Sequence, residues 1–246
     1  MKASENIVYL KIKRQDSPDV KSYWETFALV YKETDTLLTL LIRLGNDPGG
    51  GHSPVYHEYN CKEEMCGTCT VRVNGKPCLS CSTLVRNLPH SSERKPIIVE
   101  PLEKFPVVRD LAVDRSRIFR VLKKVKNWVE TDKSFEEMVE YGQEIQQEMY
   151  SYSICINCGS CYDACPRTGK SEGDYIGPSA IAHVIAMNDH PMGKADMKKR
   201  LASIMGNDGV SKCGKAFVCE KNCPKRVPLI RSITRVNREI LKNGLK

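Results

Sequence analysis

Long hydrophobic runs are absent from this chain: its longest apolar stretches, such as Leu37 to Ile42, fall far short of the roughly 20 residues a membrane-spanning helix needs. The chain is expected not to cross a bilayer. Its opening, MKASENIVYLKIKR, lacks an apolar segment ahead of a small-residue cleavage site, so no secretory signal is expected and a reducing compartment such as the cytoplasm is. No dinucleotide fingerprint is present either, since Gly49-Gly50-Gly51 follows no strand and opens no helix. The five histidines, His52, His57, His90, His183 and His190, form no paired motif and are read as solvated or satisfied core side chains. Lys and Arg total 38 against 30 Asp and Glu, a formal charge of +8. Regular aromatic interleaving is missing, so nucleic acid is not the expected partner; an acidic protein surface or anionic headgroups suit the charge better.

What the chain does have is length for two ordinary domains, at 246 residues and 41% apolar content. Residues 5–12 and 22–31 alternate as a strand pair. A helix is expected over Thr34 to Leu44, capped by Thr34 or Asp35 and stopped at Gly45. Thr70 to Val73 reads as a strand running into an Asn74-Gly75 hairpin turn, with another strand over Pro96 to Glu100. After Pro106 the pattern turns helical: Ile118, Val121, Leu122, Val125 and Val129 fall on one face. Ser134 with Glu137 makes a capping box for a helix running towards Met149, and helices also suit Ala180 to Met187 and Arg231 to Leu241. The cations Arg231, Arg235, Arg238 and Lys242 on that last helix suit docking to a partner or to headgroups, or plain solvation. The expected architecture is α+β, a small mixed sheet with one helix over residues 1–106 followed by a helical domain over 107–246.

Twelve cysteines in a reducing compartment point to metal ligation before disulfides. The run CKEEMCGTC supplies Cys61, Cys66 and Cys69, and Cys81 follows; C-x4-C-x2-C with a later fourth thiolate is the plant-type [2Fe-2S] spacing. Gly67, between two of these cysteines, gives the backbone freedom to wrap a cluster closely. Cys78 is left over and reads as a small buried apolar residue. The run CINCGSCYDACP, from Cys155 through Cys158, Cys161 and Cys165 to Pro166, has the bacterial C-x2-C-x2-C-x3-C-P spacing, in which the fourth cysteine serves the other of two clusters. Its partner is CGKAFVCEKNCP, with Cys213, Cys219 and Cys223, where Ala216 occupies the place of a middle cysteine. By the crossing rule, Cys155, Cys158, Cys161 and Cys223 hold a [4Fe-4S] cluster. Cys165, Cys213 and Cys219 then remain, and three thiolates suit a [3Fe-4S] cluster, with a [4Fe-4S] cluster open at one iron as the rival. Zinc, which wants separable four-ligand sets, matches the interlocked pattern poorly.

These three motifs, in this order and separation, resemble the iron–sulfur subunit of succinate dehydrogenase and quinol:fumarate reductase over nearly the whole chain. The resemblance implies an N-terminal β-grasp ferredoxin domain holding [2Fe-2S] and a helical ferredoxin domain holding [4Fe-4S] and [3Fe-4S]; a noncysteine residue at the position of Ala216 is the family's own pattern. It further implies FAD on a catalytic partner subunit, a membrane-anchor partner of cytochrome b type with haem as an option, and a location on the cytoplasmic face of the membrane, held there by that anchor. No catalytic residue is expected on this chain. Menaquinone or ubiquinone would bind near the three-iron cluster, with Pro166, Gly214 and Lys215 as the candidate residues on that side. Many ubiquinone-linked members carry a tryptophan shortly after the C-x3-C-P run; here PRTGKSEGDYIGP has none, which leans towards a menaquinone-linked fumarate reductase. The alternatives are the iron–sulfur subunit of a molybdenum hydroxylase, which shares the first motif but continues differently, and an iron–sulfur sensor or zinc-stabilised binding module.

Overall fold

Alternation along IVYLKIKR places Val8, Leu10 and Ile12 on one buried face of β1, Ile7–Arg14, which pairs antiparallel with β2, Tyr23–Val30, from Ile7↔Val30 to Arg14↔Tyr23. In the computed structural model, which describes residues 6–130, 140–171 and 173–244, α1 follows at Leu37–Asn46 and lays Leu37, Leu40, Leu41 and Leu44 into the same core. The hairpin of β3, Thr70–Val73, and β4, Lys76–Leu79, turns through Asn74 and Gly75, both at positive φ (48° and 78°), as a two-residue hairpin of matching twist requires. With β5, Ile97–Glu100, the sheet order is β2-β1-β5-β3-β4, and β1 and β5 run parallel at its centre. Each leucine buried between helix and sheet contributes about 1.5–3 kcal/mol. A short hairpin of β6, Val107–Arg109, and β7, Ala112–Val113, which the sequence pattern did not suggest, closes this unit.

Two expectations for α1 need correction. Its cap is Thr36, whose hydroxyl accepts from the Thr39 amide at 3.2 Å; Asp35 instead turns inward to the Lys32 amide and the Arg43 guanidinium. Gly45 does not stop the helix but lies within it, where a Cβ would come within 3.2 Å of the Val55 carbonyl oxygen.

The chain divides into two compact units, Met1–Arg115 with Cys158–Asp163, and Ser116–Asn157 with Ala164–Lys246. The second is helical. α2, Ser116–Lys124, buries Ile118 but ends before Val125, and Lys126 at φ 50° breaks the stripe, so Val129 lies beyond the helix. The capping box at Ser134 and Glu137 lies outside the described residues; α3 spans Gln143–Ser153. α4 is the short turn Ser160–Ala164, whose Ser160–Asp163 portion belongs to the first unit. α5, Pro178–Asp189, opens on Pro178 at its first turn and is buried nearly all round. α6 (Met197–Ser203), α7 (Val218–Lys221) and α8 (Leu229–Lys242) complete the unit, with α5 packed between α3 and α8. Ion pairs tie these helices: Arg235 on α8 reaches Asp189 at 2.6 Å and Glu148 at 2.8 Å, and Arg231 reaches Glu148 at 2.9 Å. Arg235 is therefore occupied within the unit, whereas Arg231 pairs at the surface with 63% of its side chain exposed.

Candidate metal centres

The approach to the first cysteine loop is clamped by a charge pair with no solvent exposure. Arg14, at the inner end of β1, donates to Asp110 at 2.9 Å and to the carbonyls of Ser53 and Pro54. Asp110 in turn accepts from the Gln15 and Tyr56 amides at 3.0 and 2.8 Å. Segment 53–56, which leads into Cys61, is thereby fixed to the sheet. Breaking one partner of such a pair costs about 3–5 kcal/mol.

Within the loop, the amides of Glu63, Met65 and Cys66 converge on the Cys61 sulfur at 3.4, 3.2 and 3.3 Å. Lys62, Glu64 and Gly67 adopt positive φ (62°, 59° and 72°), the backbone alternation that turns successive N–H groups towards a common anionic centre. The fourth cysteine is held from the other side. Amides in the first turn of α1, Leu37 and Leu38, donate to the carbonyls of Thr83 and Ser80, and the Ser80 amide donates to the Cys69 carbonyl at 3.2 Å. The helix terminus thus satisfies its spare donors on the residues flanking Cys81. Burial and the neighbouring Cys69 and Cys61 sulfurs push the Cys81 thiol up to about 12, against a hydrogen bond from the Glu64 amide. Burial also opposes ionisation of Cys66, but hydrogen bonds involving Thr68 and Cys61 outweigh it and lower that thiol to about 6. Neighbouring thiolates repel one another, and a positive group among them favours their joint ionisation, which suits an iron centre in this loop. Cys78, on β4, packs against the apolar core, and burial raises its thiol.

The second motif opens on Cys155 just after α3, with its amide donating to the Tyr152 carbonyl at 3.3 Å. Asn157 and Gly159 take positive φ (50° and 88°), and at Gly159 a Cβ would lie 3.1 Å from the Phe105 ring, so glycine is required twice over. Cys158 and Cys161 are buried, and the Cys158 thiol lies 3.3 Å from the Ser160 hydroxyl. This stretch is fastened by Asp163, which accepts from the Glu103 and Lys104 amides at 2.6 and 3.2 Å. Cys223 follows α7, and its sulfur accepts from the Val227 amide at 3.4 Å.

The second unit contains a cavity of about 320 Å3 that brings together Cys165, Cys213 and Cys219 with Ala216. Pro166, Gly214 and Lys215, the residues expected on the quinone side, are exposed and line it too, beside Arg167 and the half-exposed Phe217. Burial, with the neighbouring Cys165 and Cys213 sulfurs, pushes the Cys219 thiol up to about 11. A single water needs only about 10–15 Å3 of such space, so three cysteines lining this volume fit a polynuclear group better than one ion. Among the described residues, no three His, Cys, Asp or Glu side chains converge on a single-ion site.

Tyr175, in the segment that enters α5, was not visible to sequence reasoning. It is 1% exposed, its ring lines the cavity, and its hydroxyl has no hydrogen-bond partner among the described residues. Burial and the nearby Cys213 and Cys165 sulfurs push its phenol well above the ordinary range. Nor are all the histidines satisfied: Nε2 of His57 and of His183 is buried without a partner. A lone His or Tyr carries no spacing signal that could have marked these positions.

Comparisons with known proteins find iron-sulfur domains over the segments that carry these cysteines. Residues 9–120 match the model of a 2Fe-2S iron-sulfur cluster binding domain and residues 148–224 that of a 4Fe-4S dicluster domain. The dicluster match separates the chain from the molybdenum hydroxylase alternative. The chain is 37% identical over 234 residues to the succinate dehydrogenase iron-sulfur subunit of Bacillus subtilis, covering 93% of this chain and 90% of that protein. It is 31% identical over 224 residues to the fumarate reductase iron-sulfur subunit of Haemophilus influenzae, covering 85% and 83%. In fold it is similar to a chain of the Mycobacterium smegmatis Sdh1 complex in the apo form, with a TM-score of 0.77 over 98% of each chain at 21% identity.

Proposed function

The chain belongs to the family of succinate dehydrogenase and fumarate reductase iron–sulfur subunits, and from that premise we propose how its cysteines divide among three clusters. Cys61, Cys66, Cys69 and Cys81 take [2Fe-2S]; Cys155, Cys158, Cys161 and Cys223 take [4Fe-4S]; Cys165, Cys213 and Cys219 take [3Fe-4S]. Cys78 takes none. The observation that carries this division is the cavity in the second unit, lined by three cysteines and by Ala216, the residue that holds the sequence place of a fourth cysteine. When bound, the clusters supply one-electron sites whose potentials the surrounding hydrogen bonds and exposure set. The chain's own residues hold the sulfurs: convergent amides at Cys61, the α1 terminus at Cys81, and buried walls at Cys158, Cys161 and Cys219. The functional domains on this reading are residues 1–106 and 107–246.

The subunit transfers electrons within its oxidoreductase complex, and the interconversion of succinate and fumarate takes place on an FAD-bearing partner. A cytochrome b type anchor holds the complex at the cytoplasmic face of the membrane; among the described residues no helix of this chain is long and apolar enough to cross one. Quinone meets the chain at the exposed rim formed by Pro166, Gly214 and Lys215. The tryptophan-free stretch after Cys165 supports menaquinone and the direction of fumarate reduction.

Cys219→Ser tests the division in the assembled complex. It should abolish the three-iron resonance and lower quinone-linked turnover at least tenfold, while dye-linked succinate oxidation, read at the flavin, stays within about twofold. Full quinone-linked turnover in a complex lacking that resonance would overturn the placement of the three-iron centre beside the quinone.

A further inference from the structure

The cavity ringed by Cys165, Cys213 and Cys219 has one feature that its cysteines do not explain. Of its other polar side chains, Arg167, Lys215, Thr234 and Asn237 are exposed to solvent, and only Tyr175 is buried, at 1% exposure. Tyr175 is held from behind, where its carbonyl accepts from the Arg117 guanidinium at 3.2 Å. Its hydroxyl lies beside the Cys213 thiol, yet it makes no hydrogen bond of acceptable geometry among the described residues. A buried hydroxyl left unpaired is destabilising, so this one calls for an acceptor that the protein alone does not supply.

We propose that the Tyr175 hydroxyl donates a hydrogen bond to a sulfur of the three-iron centre, either the Cys213 thiolate or an adjacent inorganic sulfide, and so sets that centre's reduction potential. This rests on the placement of [3Fe-4S] at Cys165, Cys213 and Cys219. Sulfur bearing negative charge is the acceptor chemistry the cavity offers, and a neutral phenol at physiological pH is a donor to it. One-electron reduction adds negative charge to the centre and its thiolates. A donor therefore stabilises the reduced state more than the oxidised state, because a hydrogen bond strengthens as the negative charge on its acceptor grows. Tyr175 is a positioning and tuning residue here; it takes no part in bond making.

The test is a redox titration of the assembled complex followed by electron paramagnetic resonance, comparing the unmodified protein with Tyr175→Phe. Removal of the single oxygen should lower the reduction equilibrium constant of the three-iron centre about five- to tenfold. At 59 mV per decade for one electron, this is a downward shift of roughly 40–60 mV. The other two centres should not move, whereas a general loosening of the fold would disturb the neighbouring centre as well. Site-specific 3-fluorotyrosine at position 175, a more acidic phenol and a stronger donor, should shift the potential upward, and it decides the matter if the phenylalanine variant fails to assemble. An unmoved three-iron potential in either variant would overturn the proposal. Absence of the three-iron resonance from the unmodified complex would instead overturn the ligand placement beneath it.

Discussion

His183 sits on α5 with 8% exposure, and burial lowers its pKa to about 4. The folded state therefore holds it neutral over a range in which the unfolded chain, at about 6.5, is already protonated. A base whose folded pKa is depressed contributes fully above its unfolded value and loses that contribution as pH falls towards the folded one. The complex should lose up to roughly 3 kcal/mol from this group between pH 6.5 and 4. His183→Met, which fills similar space without a titrating nitrogen, should flatten the acid side of a plot of thermal midpoint against pH; an unchanged slope would show that His183 is not held neutral. The sequence located this residue on a helix but not its unpaired nitrogen. Spacing made the cysteines legible because a cluster dictates how far apart its ligands fall along the chain. Tyr175 and Asp163 act through partners far away in the sequence, which leave no such pattern.

Among the elements, α1 does most to join fold and site. Its leucines anchor the sheet, and its first turn holds the carbonyls on either side of Cys81. Thr36→Ala removes the hydroxyl that caps this turn and should cost about 1 kcal/mol, read as a lower denaturant midpoint, with faster loss of the [2Fe-2S] absorbance than from the unmodified protein. Equal rates of cluster loss would separate the cap from the cluster. The helix itself was legible, because Leu37, Leu40, Leu41 and Leu44 repeat at its period. Its cap was not, because three polar residues, Thr34, Asp35 and Thr36, stand in a row and only the partners of Asp35 decide between them. The strands β1 to β5 follow from alternation and one turn signal. The hairpin of β6 and β7 is too short to show a period, and its role, presenting Asp110 to Arg14, depends on a partner about a hundred residues away.

At the scale of the whole molecule, a sheet unit and a helical unit each offer cysteine sites built by different local means. Convergent amides surround the sulfur of Cys61; a cavity opens among Cys165, Cys213 and Cys219. The order of sites was legible from the motifs alone. The path of the chain was less so, since Cys158–Asp163 packs with the sheet unit although the residues on either side belong to the helical one. The central claim is that three clusters of three types sit on these cysteines. Electron paramagnetic resonance of the anaerobically purified complex, oxidised and then reduced, with iron counted on the same sample, tests it most directly. The account predicts an oxidised three-iron resonance, reduced two-iron and four-iron resonances, and about nine iron atoms per chain. About ten iron atoms with no three-iron resonance would contradict it, placing a four-iron cluster in the cavity beside Ala216.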